Sequence, residues 1–251
     1  IPIEIIGSGS KRGIGRPMHC TKTLSLSKLD GIIEYTPEEL YIRVKAGTRI
    51  DLIETELKKY NQQLAFEPID FGYLFLGKST CGTAAGQVAC NISGPRRFKS
   101  GSTRDHILGF RAVNGRGDII KSGGTVVKNV TGYDLSKLIC SSYGTLAALT
   151  EITFKVLPAA EESKTLVIHN LSIDTAPEYL IKAISSSNDV SGASYLPTKP
   201  DCQSCEMNIG NTFKLNDLKK NGSLTAIRVE GSKTSTTERL ENLKKELKVS
   251  E

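Results

Sequence analysis

The sequence predicts an α+β chain in two parts, and three observations lead there. Over residues 1–158, short apolar or alternating runs of strand character are joined by Gly- and Ser-rich turns, with few helical periods between them. A break follows at Pro158, and residues 164–251 then read strand-helix-strand, strand-helix. The length of 251 residues holds one large domain or two smaller ones, each with its own core. The expected boundaries are therefore 1–158 and 164–251.

Residues 1–6 form an apolar run that stops at Gly7, the pattern of a buried strand delivering its end into the loop Gly7-Ser8-Gly9-Ser10-Lys11. Strand character returns at residues 21–26, 32–35 and 40–45, with a turn at Thr36-Pro37-Glu38-Glu39. A helix follows, with Thr48 and Asp51 spaced as a capping box and Ile50, Ile53 and Leu57 on one apolar face. A short helix over residues 83–90, capped by Thr80, is expected next. Asn114-Gly115-Arg116-Gly117 between two strand-like runs marks a hairpin. A short helix then runs through Leu138 until Gly144 breaks the pattern. Residues 149–157 alternate, with Ile152, Phe154 and Val156 on one face and Glu151, Thr153 and Lys155 on the other. In the second part, strands are expected at 165–171, 192–196 and 224–229 and helices at 176–186 and 236–248. The last helix carries Leu240, Leu243 and Leu247 inward and a Glu241–Lys245 pair outward. This is most of a split β-α-β unit lacking its final strand, so the chain is expected to continue past residue 251. Its first residue, Ile1, points to a missing native start.

The stretch at residues 74–102 organises the first part. Gly77, Gly82, Gly86, Gly94 and Gly101 punctuate it, with Ser79, Thr80, Thr83, Ser93 and Ser100 between them. Glycine lets the backbone come close to a ligand, and successive N–H groups with hydroxyls beside them make a concave donor surface for a phosphate. Alone, such a stretch also reads as a small-residue loop without a ligand. The second Gly/Ser turn, residues 7–11 with its Lys, tips the reading toward a diphosphate cradle. It is neither the Rossmann G-x-G-x-x-G, since no amphipathic helix follows, nor a P-loop, since the G-K-[ST] ending is absent.

Composition removes other classes. The net charge of +6 is spread along the chain, aromatic residues are 6% and Trp is absent, which argues against a nucleic-acid surface. No apolar run reaches the ~20 residues of a membrane span and no signal peptide is visible. Cys20, Cys81, Cys90 and Cys140 stand isolated, as reduced core thiols of a cytoplasmic protein do. Cys202 and Cys205 form a C-x-x-C pair with no second pair or His, so no metal site is expected there.

Six motifs in order resemble one family. They are Gly7-Ser8-Gly9-Ser10-Lys11 with Gly15-Arg16-Pro17; Leu64-Ala65-Phe66-Glu67-Pro68; Ser93-Gly94-Pro95-Arg96-Arg97; Gly101-Ser102-Thr103-Arg104-Asp105 with Leu108-Gly109; Lys128-Asn129-Val130-Thr131-Gly132-Tyr133-Asp134; and Gly144-Thr145-Leu146. The chain resembles the flavoproteins typified by vanillyl-alcohol oxidase and p-cresol methylhydroxylase, and within them the FAD-binding subunits of bacterial glycolate oxidases. The resemblance implies a PCMH-type FAD-binding domain of two α+β subdomains at 1–158, followed by a partial ferredoxin-like cap domain. It implies FAD held between the first loop (Gly7, Ser8, Gly9, Ser10, Lys11) and the central stretch (Ser79, Thr80, Gly82, Thr83, Gly86), with Ser93 and Gly94 near the isoalloxazine ring. Ser102 and Asp105 belong to the same implied set, and the Ile152 backbone lies near the adenine. Ser10 stands where covalent members carry His, so the FAD is expected to be non-covalent. The segment Tyr73-Leu74-Phe75-Leu76-Gly77-Lys78 departs from the Gly- and Ala-rich run of related subunits. The metal-binding His motif of related 2-hydroxyacid dehydrogenases is absent from these residues.

The implied function is that of a subunit in a multi-subunit glycolate oxidase, turning a 2-hydroxy acid into a 2-oxo acid. Its implied partners are a catalytic flavin subunit and an iron–sulfur subunit, in the cytoplasm and reaching a membrane only through that complex. A self-sufficient FAD-dependent 2-hydroxyacid dehydrogenase and a structural subunit with a vestigial flavin site are the alternatives. No catalytic residue is assigned. Among His19, His106 and His169, only His106 follows the flavin-side motif, and a structural role fits it as well. Arg96 and Arg97 are open to meeting a carboxylate or to lying on a solvated surface.

Overall fold

The computed structural model describes residues 1–16, 19–125, 133–197 and 222–249. Pro17, residues 128–132 of the fifth motif, the Cys202/Cys205 pair and the polar loop before the last strand lie outside these. The described chain divides into two units, Ile1–Ala159 and Ala160–Glu251.

In the first unit, β1 (Ile3–Ile6) and β2 (Lys22–Ser25) pair in parallel. The main sheet uses β3 (Ile32–Thr36) and β4 (Tyr41–Lys45); α1 (Ile50–Lys58) and β5 (Gln62–Gln63) follow in the chain. Then come α2 (Gly72–Leu76), α3 (Ala84–Cys90) and α4 (Arg97–Ser100). A hairpin of β6 (Ile107–Asn114) and β7 (Ile119–Gly123), α5 (Leu135–Ile139), β8 (Ala147–Lys155) and β9 (Leu157–Pro158) complete the unit. The sheet order is β3-β4-β8-β6-β7, antiparallel throughout. Its register sets Ile42 opposite Phe154, and Val44 and Phe110 opposite Ile152, so one row of apolar side chains faces inward. Those side chains pack with Ile53 and Leu57 of α1, Val88 of α3 and Phe66. Deleting a side chain such as Phe154 from this close-packed set would cost about 3–5 kcal/mol. The opposite face pairs Arg111 with Glu151 and with Lys121, the polar side an antiparallel sheet can present to water.

In the second unit, β10 (Glu162–His169), α6 (Ala176–Ile184), β11 (Val190–Leu196), β12 (Leu224–Gly231) and α7 (Lys233–Leu247) follow one another. Strand β12 lies between β10 and β11 and is antiparallel to both, a split β-α-β arrangement. Its core gathers Leu166, Ile168, Ile227 and Val229 under Ala183, Leu243 and Leu247.

Several local expectations change. The box expected from Thr48 and Asp51 does not form. The Thr48 hydroxyl exchanges hydrogen bonds with both the N–H and the C=O of Gly31 (3.0 and 3.1 Å), while Asp51 pairs with Arg49. Thr83, not Thr80, caps α3, accepting from the Gly86 N–H at 3.3 Å; Thr80 is taken by Asp70. Glu162 and Ser163, expected between the two domains, open β10 because they pair with Gly231 and Glu230. On α7 the ion pair is Lys244–Glu241 rather than Glu241–Lys245. Of the four thiols described, only Cys140 is buried, and burial pushes it up to about 12.

Candidate functional site

Strand β1 is held beside β2 and hands the chain to the first loop at Ile6, whose carbonyl accepts from Leu26 N–H. Gly9 takes a φ of +73°, the left-handed region where a Cβ is penalised, and the turn closes with Arg12 N–H on Gly9 C=O. The Arg12 guanidinium grips the Glu4 carboxylate with two hydrogen bonds (2.7 and 2.9 Å), and Thr23 adds a third. The loop is therefore tied to both strands behind it.

Gly7 makes the decisive contact. A Cβ there would lie 2.2 Å from Oγ1 of Thr83, so the first loop touches the cap of α3 through bare backbone. Lys11 spans the same junction. Its Nζ lies 3.5 Å from where a Cβ at Gly86 would stand and 3.8 Å from one at Gly82. Burial lowers the Lys11 pKa, and no ion-pair partner meets it among the described residues. Between these groups runs a cavity of about 750 Å³. It is lined by Gly7, Ser8, Gly9, Ser10 and Lys11 on one side and by Thr83 and Gly86 on another.

A wall that sequence reading left out of the site is the turn Ser142-Tyr143-Gly144-Thr145. Tyr143 and Gly144 both have positive φ (+52° and +76°), and Tyr143 N–H bonds Ala89 C=O at the end of α3. The Gly144-Thr145-Leu146 motif was the signal that could have found it. Cys90 also lines the cavity, its thiol pushed up by burial against the opposing charge of Lys11.

The other implied residues lie outside this lining and have partners of their own. Ser79 and Thr80 donate to the Asp70 carboxylate (2.7 and 2.9 Å). Gly82, at φ +51°, sits against the Gln87 amide. Ser93 accepts from Thr103 N–H. A Cβ on Gly94 would strike Glu67 at 2.6 Å. Glu67 in turn takes the Arg96 N–H (2.6 Å) and pairs with its guanidinium (3.4 Å), locking two of the motifs together. Arg96 is thus 9% exposed and structural rather than a solvated surface residue. Ser102 and Asp105 form a capping box, and the Ser102 N–H holds the Asp105 carboxyl below its usual range. Ile152 is fully buried in the inner row of the sheet. His106 is buried against Phe66. Its Nε2 bonds Ser100 C=O at 2.7 Å, which must accept, so the ring donates there and Nδ1 is a bare acceptor.

Bare backbone at Gly7 and Gly9, hydroxyls at Ser8, Ser10 and Thr83, and a largely buried ammonium with no ion-pair partner among the described residues fit a long ligand with a diphosphate at its centre. The α+β fold and this cradle define a flavin-dinucleotide-binding domain of the PCMH type. Residues 1–123 match the family model described as FAD binding domain, and this part of the chain belongs to that family, whose cofactor is FAD.

The chain is similar to glycolate oxidase subunit GlcE of Escherichia coli (strain K12), with 45% identity over 66% of this chain and 45% of that protein. It is similar to D-lactate dehydrogenase of Anaerostipes hadrus (35% identity, 63% of this chain, 32% of that protein). Glycolate oxidase subunit GlcD of Bacillus subtilis (strain 168) matches at 32% identity over 74% of this chain and 38% of that protein. The chain thus spans less than half the length of these relatives. Among solved structures, an alkyldihydroxyacetonephosphate synthase shares the fold with a TM-score of 0.70 at 19% identity, covering 98% of this chain and 46% of that one.

Proposed function

We propose that the chain is the FAD-binding part of a subunit in a multi-subunit glycolate oxidase, an oxidoreductase that takes a 2-hydroxy acid to a 2-oxo acid. The observation that carries this is the junction of Gly7, Thr83 and Lys11 over the cavity, together with the relatives named as glycolate oxidase subunits. FAD bound there would supply the two-electron redox chemistry. The residues of the chain do the rest. Loop N–H groups with the Ser8, Ser10 and Thr83 hydroxyls bind the diphosphate, and Lys11 neutralises it. Ser79, Thr80 and Gly82 shape the loop leading into α3, which Gly86 keeps open, while Ser93, Gly94, Ser102 and Asp105 hold the segment expected beside the flavin ring. Ile152, expected near the adenine, lies on the central strand β8 between β4 and β6. The FAD is non-covalent, because Ser10 provides no nitrogen for a flavin bond.

The partners we infer are a catalytic flavin subunit and an iron–sulfur subunit. The chain works in the cytoplasm, and its assembly brings it to a membrane; among the described residues no helix is long and apolar enough to cross one. The test is to express the chain with those partners, then withdraw it. Glycolate oxidation should fall to background without it, whereas full activity in its absence would reject the subunit role. Brisk bleaching of the isolated chain by glycolate would instead favour a self-sufficient dehydrogenase.

A further inference from the structure

Residues 70–81, which enclose the run 73–78, form a braced protrusion. The Asp70 carboxylate draws in the N–H groups of Gly72, Thr80 and Cys81 and the hydroxyls of Ser79 and Thr80. One side chain so closes the base of the loop from both ends, and Gly77 ends α2 at φ +65°. What the brace displays is apolar. Tyr73 is 53% exposed, Leu74 68%, Phe75 39% and Leu76 51%.

Phe75 turns back toward Gly13 and stacks on Phe71, so Tyr73, Leu74 and Leu76 are what the turn presents outward. Exposed apolar residues clustered in this way mark a contact site, on a protein or in the apolar medium at a membrane surface. Charge at the base agrees with such a medium. Phe75 packs over the first loop, where a Cβ on Gly13 would come within 2.7 Å of its ring, and this sets the protrusion beside the basic turn ending at Arg16. Arg12 there is matched by Glu4, and Arg49 by Asp51. Asp70 lies under its hydrogen bonds and near the charge of Lys11. Lys78 and Arg16 meet no acidic partner among the described residues. An apolar tip above unmatched cations is the pattern of a peripheral anchor on an anionic bilayer.

We propose that α2 inserts into the surface of an anionic lipid membrane, with Leu74 and Leu76 in the acyl boundary and Lys78 and Arg16 at the headgroups. This contact is additional to any attachment made through partner subunits, and it does not rest on the flavin reading.

The chain contains no Trp, so a single introduced Trp is a clean reporter. The full chain and its Leu74→Trp, Leu74→Ser/Leu76→Ser and Lys78→Gln variants would be mixed with phosphatidylcholine vesicles containing about a quarter phosphatidylglycerol, or none. Far-ultraviolet circular dichroism would check that each variant is folded. The expected result is a blue shift of Leu74→Trp emission on anionic vesicles. The double Ser variant should partition about tenfold or more less, in line with the apolar surface it removes, with a smaller loss for Lys78→Gln. The proposal is overturned if the parent chain does not bind, or if the double Ser variant binds as well as the parent. It is equally overturned if vesicles carry the chain down while Trp emission stays put, which is adsorption by charge alone. A blue shift produced by a partner subunit and not by vesicles would assign the tip to a protein interface and reject the lipid.

Discussion

Gly7 and Thr83 are 76 positions apart, yet the close approach between them joins the first loop to the central stretch. Replacing Gly7 with Val puts carbon where Thr83 Oγ1 sits, so the two walls of the cavity must separate. We expect purified Gly7→Val protein to retain less than a tenth of the parent's flavin by absorbance, the size of effect a lost charged or polar grip of about 1.5–3 kcal/mol produces. Gly7→Ala combined with Thr83→Ala should recover part of it, because the second change removes the obstructing hydroxyl. Gly9 fails for a different reason. Its surroundings are open, but its φ of +73° resists a β-branched side chain. Lys11→Met should weaken FAD binding by tenfold or more in equilibrium titration and flatten its salt dependence, since the substitution removes the buried ammonium. An unchanged affinity would remove Lys11 from the site.

The helices and turns show what local pattern can and cannot reveal. The spacing of a hydroxyl residue followed three positions later by Asp occurs at Thr48/Asp51 and again at Ser102/Asp105. Only the second forms a capping box, because Gly31 competes for Thr48 from 17 residues away and nothing in the local sequence announces it. The same limit hid Asp70, whose five hydrogen-bond donors all come from residues 72–81 once the loop is closed. The strands of the sheet and the hairpin at residues 114–117, by contrast, were legible from alternation and turn chemistry alone. Asp70 yields a pH prediction. Burial pushes its carboxyl up, but hydrogen bonds from Ser79, Gly72, Cys81 and Thr80 outweigh this and hold it at about 2, against an ordinary 3.8. Its contribution is therefore complete above about pH 4 and is lost as the pH falls toward 2. Asp70→Asn should melt lower than the parent at neutral pH, by the equivalent of about 1–2 kcal/mol. The gap between the two melting curves should narrow below pH 4; a gap that widens there would contradict the brace.

At the scale of the whole chain, the two units follow different rules of legibility. The second shows its split β-α-β pattern from periodicity, since each strand and helix buries its own apolar residues. The first needed motifs, because its cavity is assembled from segments that carry little periodicity: the first loop, the cap of α3 and the turn at Tyr143-Gly144. Motif order found two of those walls and passed over the third as a binding element. The flavin link is also a property of the whole assembly. With Ser10 in the first loop, acid precipitation should leave the flavin in the supernatant, and flavin staying with the pellet would overturn the non-covalent assignment. The most direct test of the central claim is a titration of the flavin-free chain with FAD, followed by fluorescence. The account predicts saturation at one FAD per chain, with the end point lost in Gly7→Val. A chain that takes up no FAD, or one whose Gly7→Val variant binds it as the parent does, would contradict it.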